Sequence, residues 1–380
     1  MALRADGFAG RVAEARARLG AGRIGLVVGT STSGVGALED AYLARTQDGP
    51  LPESFDYVST HDLSSLACFV RDALGLAGPA LTVSAACASA ALCFADAAHL
   101  IETGVCDAVV VGGADTLCRM TLQGFASLGL VSPGVTRPCD AARDGISVAE
   151  AAGFALLEPM REGEGGLAVL GTGGSSDAHH MSSPHPEALG AVLAMRAALA
   201  DAGLGPEAID YVNLHGTGTR ANDSMEDLAV TTVFGARTPC SGTKGWTGHT
   251  MGSSGILETA IAALCLGHGL IPGCLGVERV DPAFTAHVLT ANEHRPLRHV
   301  LSNSFGFGGI NCSLVVGLVP GGVIPTTRWT DPSTPVIPRL DRRIRERTVR
   351  AAGDPPVKPG DDGDGSMDRA AGMTPRDVTP

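Results

Sequence analysis

At 380 residues, 44% hydrophobic and only 4% aromatic, with 51 glycines and a formal net charge of −12, the chain suits one large globular unit or two fused similar halves packed around small side chains. The acid excess argues against a nucleic-acid partner. The ten cysteines include no CxxC pair and no short secreted framework, so they read as free thiols of a reducing cytoplasm. No stretch approaches an uncharged transmembrane span, which predicts a soluble chain with no membrane partner.

MALRADGFAGRVAEARARLG has no signal-peptide core and predicts an amphipathic, arginine-rich helix over 8–20. RIGLVVGTS (23–31) predicts a buried strand ending in a Gly/Ser/Thr loop, with helical segments near 36–46 and 62–75. The stretch around VSAACASAALCFADAAHLIETG (83–104) predicts an apolar strand from Leu81 to Ala86 that is buried on both faces, then a tight elbow at Cys87. The helix that follows carries Leu92, Ala95, Ala98 and Leu100 on or near one face and stops at Gly104. AVVVGGAD (108–115) is another buried strand, MTLQGFASLGL a short helix and loop, and Gly153 to Leu157 a strand. LAVLGTGGSSD (167–177) reads as a strand and polar loop. Pro186 to Ala202 reads as a helix opened by Pro-Glu and closed by Gly203. IDYVNLHGTGT (209–219) is a strand entering a Gly/Thr loop, and Met225 to Phe234 is helical. TKGWTGHTMGSSGILETAIAALCLGHG runs from a loop into a helix, and VLSNSFGFGGINCSLVVGL (300–318) is strand, glycine-rich turn, strand. This alternation predicts an α/β fold with mostly parallel central sheets, divided into halves over 1–160 and 161–320. The segment 321–380 is rich in Pro, Asp, Arg and Gly, without apolar periodicity, and reads as a disordered tail.

A thiol at a helix N-terminus meets the positive end of the helix dipole and free N–H groups, which favours the thiolate and makes Cys87 a candidate nucleophile. The alternative is a buried structural cysteine. His215 in LHGTGT, the loop TKGWTGH and the turn SNSFGFGGIN each have a structural reading of their own: a satisfied core histidine, a surface loop, and a hairpin whose glycines supply positive φ. His179, His180 and His185 come without an acidic or cysteine ligand set of familiar spacing and read as polar loop residues, with no metal site. GTGGSS (171–176) is followed directly by no helix, so it is no dinucleotide fingerprint, and no cofactor is expected.

Taken together and in this order, the four stretches are far more specific. Over roughly residues 23–318 the chain resembles the β-ketoacyl-acyl carrier protein synthases, the elongating condensing enzymes of fatty acid and polyketide assembly. The resemblance implies a thiolase-like fold, two similar βαβαβ halves in a layered α-β-α-β-α arrangement. It implies a Cys-His-His site at Cys87, His215 and His249, with Lys244 as the lysine and Glu258 as the acidic residue after the second histidine. An acyl group would move onto Cys87, and a malonyl thioester would lose carbon dioxide to give an enolate. The two histidine N–H groups would stabilise that enolate. The backbone N–H groups of Cys87 and Phe307 would hold the second oxyanion, and Phe305, Gly306 and Gly308 belong to the same oxyanion and gating turn, where Gly306, Gly308 and Gly309 permit close approach. Lys244 would hold one histidine's orientation and tautomer, with Glu258 either assisting or serving as a structural ion-pair partner.

Condensing enzymes that take coenzyme A primers would carry Asn in place of the second histidine, and thiolases a second catalytic cysteine. GISVAEAAGFALLE, SSDAHHMSSPHPE and TPCSGTKGWTGH are similar to the ketosynthases of bacterial aryl polyene pathways. The resemblance implies an acyl carrier protein bearing acyl and malonyl groups as partner. It also implies a homodimer, or a heterodimer with a related ketosynthase-like subunit, with the strand before Cys87 near the interface. The chain departs from the family twice. Only about twenty residues precede RIGLVVGTS, so a misplaced start or truncated gene is expected, with one sheet short of a strand. Arg220 stands where proline commonly follows HGTGT, which should alter a loop and not the chemistry. Two rival functions are a non-catalytic chain-length partner that keeps Cys87, and a cysteine hydrolase, for which the second histidine and Lys244 have no use.

Overall fold

The computed structural model describes residue 3 and residues 7–46, 49–160 and 164–320, so the expected disordered tail over 321–380 lies outside the described residues. In chain order the elements begin with α1 (Phe8–Leu19), β1 (Ile24–Gly29), α2 (Val35–Ala44), α3 (Tyr57–Thr60), α4 (Ser65–Leu74), β2 (Ala80–Val83), α5 (Ser89–Glu102), β3 (Ala108–Asp115), α6 (Arg119–Ser127), β4 (Ala151–Leu157) and β5 (Gly166–Ser176). They continue with α7 (Leu189–Asp201), β6 (Tyr211–Leu214), α8 (Arg220–Phe234), β7 (Pro239–Gly242), α9 (Lys244–Thr247), α10 (Ser254–His268), β8 (Leu270–Ile271), β9 (His287–Val288), β10 (Glu293–His294), β11 (His299–Gly306) and β12 (Ile310–Val319).

The continuous apolar runs of β1 and β3 are buried on both faces, because helices cover both sides of their sheet. That sheet has the order β2-β1-β3-β4, and a six-stranded sheet has the order β5-β12-β11-β6-β7-β9. Phe8, Val12 and Ala15 of α1 and Ala67, Val70 and Leu74 of α4 cover the outer face of the first sheet. Met195 and Leu199 of α7 and Met225 and Val230 of α8 cover the outer face of the second. Between the sheets, Ala91 and Phe94 of α5 and Ile256 of α10 pack with Val27, Val109, Val111 and Leu314. The layering is therefore α-β-α-β-α, the thiolase-like arrangement that the resemblance implies. A Cβ on Gly255 of α10 would fall 2.4 Å from the Ala91 nitrogen of α5, so this close helix crossing requires glycine. The crossing sets the relative positions of the two loops that lead into α5 and α10.

Several local expectations need correction. The strand before the elbow is only Ala80–Val83, and it is half-buried rather than buried on both faces. It pairs only with β1, so its other edge has no strand beside it among the described residues. The inward face of α5 is Ala90, Cys93, Phe94 and Ala97, one step round from the predicted stripe, because these residues meet β1 and β3. The sheets are mostly parallel at their centres, as expected, through β2-β1-β3 and β11-β6-β7-β9, with antiparallel additions: β4 runs antiparallel to β3, and β12 to both β5 and β11. The GTGGSS stretch is strand and not loop, since β5 pairs with β12 through Ser176. Helix α7 starts at Leu189 and not at Pro186, with Ala188 in the left-handed region at φ 56°. Helix α8 starts at Arg220, capped by the Thr219 hydroxyl, which accepts from the Asn222 N–H. Arg220 therefore occupies the first helical turn, where proline is tolerated, and the departure alters a helix start rather than a loop. The short strands β7 to β10 carry too few residues for a periodic signal.

All ten cysteines are free thiols, nine of them buried. No helix among the described residues is long and apolar enough to cross a membrane.

Candidate active site

The chain leaves β2 through Ala86, a non-glycine residue at φ 48°, and so presents Cys87 immediately before α5. The Ser89 hydroxyl holds this strained elbow, accepting from the Ala85 N–H at 2.9 Å and donating to the Ala86 carbonyl at 2.6 Å. The Cys87 thiol is not depressed, contrary to the sequence expectation. Burial pushes it up to about 11, and the carboxylates of Asp115 and Glu258 push the same way. The Lys244 ammonium and the Phe307 N–H, which donates to the sulfur, oppose this without cancelling it. Desolvation outweighs the helix terminus.

The glycine-rich turn lies against the elbow. A Cβ on Gly306 would stand 2.9 Å from the Ala85 carbonyl and 3.3 Å from the Cys87 nitrogen, so close approach requires glycine there. At Gly308 the requirement is different: nothing lies near, but φ is +85°. The Phe305 ring lies 5.9 Å from the His215 ring, and the Phe307 ring lies 5.5 Å from Phe125.

His215 follows β6. Its backbone N–H and that of Gly216 both donate to the Glu226 carboxylate, at 2.7 and 2.8 Å, and the Asn303 amide donates to Glu226 at 3.1 Å. Lys244, at the start of α9, reaches His215 Nδ1 at 3.3 Å, donates to the His215 carbonyl, and forms an ion pair with Glu258 of α10. Both residues of the pair are almost fully buried, at 1% and 2% side-chain exposure. His249 lies in the loop between α9 and α10. Its Nδ1 accepts from the Met251 N–H at 3.1 Å and meets the Ser254 hydroxyl at 3.2 Å. The two imidazoles pack edge to face, with centroids 5.3 Å apart. Burial first, then the Lys244 charge, holds both well below the usual histidine range, so both are neutral. With Nδ1 of each ring facing a donor, the proton sits on Nε2, and each ring offers one N–H to the cavity.

The sulfur of Cys87 and one ring nitrogen each of His215 and His249 lie within 4.8 Å of one another. Such a trio has the composition of a metal site, but its chemistry does not fit one. A metal at Nε2 needs the proton moved to Nδ1, where the Met251 N–H already points at His249 and Lys244 at His215. The His179 and His185 rings lie tilted at 57° with centroids 5.0 Å apart, and the Ser182 and Ser183 N–H groups donate to His180 Nδ1. They are polar groups of a loop that also covers the glycine turn, where Gly308 N–H donates to the Met181 carbonyl.

Cys87, His215, His249, Phe305, Gly306 and Phe307 line one cavity of about 250 Å³, whose walls include Phe125, Leu128, Thr217 and Asn222. Lys244 and Glu258 stand behind the histidines. Two supporting carboxylates escaped the sequence reading. Glu226 lies eleven residues past His215 on a helix face, and Asp115 ends β3; neither spacing carries a signal of its own.

Burial raises Glu226 to about 7, against three donated hydrogen bonds that lower it. A carboxyl raised in the folded state stabilises below its unfolded value, near 4.5, and loses that contribution as pH rises through about 7. Glu226→Gln should therefore narrow the difference from the wild type by roughly 2–3 kcal/mol between pH 5 and 8 in urea unfolding. The neutral histidines act with the opposite sign below pH ~6.5, so the comparison must be between wild type and variant at each pH.

The sequence matches the family models described as beta-ketoacyl synthase, N-terminal domain, over residues 2–163, and beta-ketoacyl synthase, C-terminal domain, over residues 167–278. Nodulation protein E of Rhizobium meliloti is 36% identical over 303 residues, which span 77% of this chain and 75% of that protein. The 3-oxoacyl-[acyl-carrier-protein] synthase 2 of Coxiella burnetii is 32% identical over 314 residues, 78% of this chain and 76% of that protein. Among solved structures, the ketosynthase ApeO in complex with its chain length factor ApeC, from Xenorhabdus doucetiae, superposes with a TM-score of 0.76 at 40% identity, covering 82% of this chain and 78% of that one.

Proposed function

The chain belongs to the β-ketoacyl synthase family, and from that premise we propose how its residues carry out the acyltransferase chemistry of a β-ketoacyl-acyl carrier protein synthase. The Cys87 sulfur attacks the carbonyl of an acyl thioester; the thioester bond breaks, and the Cys87 proton ends on the departing carrier thiol. A malonyl thioester then loses carbon dioxide, and the electron pair of the broken bond becomes an enolate. Its oxygen accepts the Nε2–H groups of His215 and His249. Because both rings are neutral donors, they stabilise charge without giving up a proton. The enolate carbon attacks the Cys87-bound acyl group, whose oxygen accepts the N–H groups of Cys87 and Phe307. Collapse of that intermediate releases a β-ketoacyl thioester and the Cys87 thiolate. Lys244 keeps His215 in its Nε2–H form, and Glu258 balances the Lys244 charge in a site closed to water. Phe305 and Phe307, hinged at Gly306 and Gly308, gate the cavity.

The observation that carries this reading is the gathering of one sulfur and two pinned imidazoles within 4.8 Å at one cavity wall. Partner, subtype and location extend it. The half-buried β2 edge, with Leu81 exposed and no strand beside it among the described residues, suits pairing with a second copy or a related subunit. The likeness to a ketosynthase solved with its chain length factor supports the heterodimer, and the stretches GISVAEAAGFALLE, SSDAHHMSSPHPE and TPCSGTKGWTGH support an aryl polyene ketosynthase. Acyl carrier protein is the substrate carrier, and free thiols suit the cytoplasm. A division into halves over 1–160 and 161–320 is supported by the origins of the two large sheets, residues 24–157 and 166–319.

Intact-protein mass spectrometry after incubation with acyl-carrier protein tests the proposal. Wild type should gain one acyl mass and Cys87→Ala none, and added malonyl-carrier protein should yield a β-ketoacyl product. Acyl loss without a new carbon–carbon bond would indicate a hydrolase. No acylation, alone or with a related subunit, would indicate a non-catalytic chain-length partner.

A further inference from the structure

Asp115 lies at the end of β3, buried, and makes no direct contact with substrate in the chemistry above, although its charge raises the Cys87 thiol. Its carboxylate is nonetheless among the most heavily bonded groups of the site region. Oδ1 accepts from the Thr30 hydroxyl at 2.6 Å, the Ser31 N–H at 2.9 Å, and the Thr32 N–H and hydroxyl, both at 2.9 Å. Oδ2 accepts from the Ser31 hydroxyl and from the Gly252 N–H, both at 2.6 Å. The Oδ1 bonds all run to the loop after β1, and the Gly252 bond runs to the loop that carries His249. One carboxylate thus joins the first sheet to the segment between α9 and α10.

That segment is strained. Met251, between His249 and Gly252, holds φ at 58° without being glycine. Its N–H is the donor at 3.1 Å that fixes the His249 proton on Nε2. The neighbouring N–H, that of Gly252, is the one Asp115 takes. A Cβ on Gly252 would lie 2.7 Å from Asp115 Oδ2 and 2.7 Å from the Ser31 nitrogen, so the contact is as close as a backbone allows. A strained peptide persists only where its surroundings over-determine it. Here the restraint is the bond from Gly252 to a fixed anion, seconded by the Ser31 hydroxyl at 3.2 Å.

We infer that Asp115 is a positioning residue for His249: by anchoring Gly252 it holds the Met251 N–H against Nδ1 and so keeps the Nε2–H aimed into the cavity. The inference rests on the proposed role of His249 as donor to the enolate. It predicts a split between the two half-reactions, because Cys87 acylation does not use His249 in that role whereas malonyl decarboxylation does.

The test uses the full chain with ¹⁵N-labelled histidine, acyl-carrier protein and malonyl-carrier protein. In wild type, the His249 ring should be neutral with its proton on Nε2 at pH ~7. A proton on Nδ1 would overturn the inference before any variant is made. Asp115→Asn should lose the single tautomer and slow decarboxylation by ~10-fold or more, with no matching loss of acylation, because it also removes a charge that raises the Cys87 thiol. Ser31→Ala, a milder change at a half-buried position, should show the same split at smaller amplitude. If Asp115→Asn does not fold, the Ser31→Ala split and the wild-type tautomer decide the matter. Equal loss in both half-reactions, or an unchanged tautomer in both variants, would mean that Asp115 only supports the fold. A wild type that neither acylates nor condenses would instead sink the functional reading itself.

Discussion

His249→Ala is expected to slow malonyl decarboxylation by about 10²- to 10³-fold while the acyl group still reaches Cys87. The magnitude is that of removing one oxyanion donor from a buried site. The dry surroundings that hold His215 and His249 below the usual histidine range also make each N–H a strong donor to a developing charge. His215→Ala should have an effect of the same order, with an added cost because Lys244 loses its Nδ1 acceptor. His249→Asn should recover part of the rate, since an amide also presents an N–H. Burial holds both rings well below the usual histidine range, so the decarboxylation rate should show no histidine inflection near that range. A histidine acting as general base would produce one. Stopped-flow release of carbon dioxide, with acylation followed separately by mass spectrometry, distinguishes these outcomes.

The residues proposed to carry the chemistry were legible only together, through the family resemblance, although each sits in a short stretch where a strand or loop gives way to a turn. Cys87 at an elbow, His215 after a buried strand, His249 before a small-residue helix start and Phe307 in a glycine turn each carry a local signal. The alternation of apolar strands with helices revealed the α/β class, since burial on both faces leaves continuous apolar runs in β1 and β3, whereas the layering followed from the family resemblance. What remained hidden depends on contacts between residues far apart in sequence. Asp115 and Glu226 hold backbone N–H groups 137 and 11 residues away, and a carboxylate that binds backbone leaves no pattern in side-chain types. The GTGGSS stretch looks like a loop because glycine and serine are poor strand formers, but its full-length pairing with β12 overrides propensity. The Cys87 thiol was misread for a related reason. A helix N-terminus can be seen in sequence, whereas the desolvation that raises the thiol to about 11 comes from the whole fold closing over it.

That same closure decides what the Lys244–Glu258 pair is worth. Lys244→Ala is expected to destabilise the protein by about 3–5 kcal/mol, because it leaves the Glu258 carboxylate buried beside no cation. The position is severe: Glu258 is 2% exposed, and its second oxygen has no hydrogen-bond partner among the described residues. Burial already raises Glu258, and Lys244 is the group that opposes the shift, so the variant should take up a proton in the folded state at higher pH than wild type. A buried pair is weak evidence for stability, however, since two charges must be desolvated to form it. Lys244→Met combined with Glu258→Leu should therefore return the urea midpoint most of the way to wild type. It should not return activity. Without Lys244 no other described residue fixes the His215 proton on Nε2, the ring is free to turn a lone pair toward the enolate, and decarboxylation should stay at least ~10-fold down. Recovery of both stability and rate in the double variant would show that the pair is structural packing behind His215. Recovery of stability alone would show that the cation is kept for the tautomer it imposes.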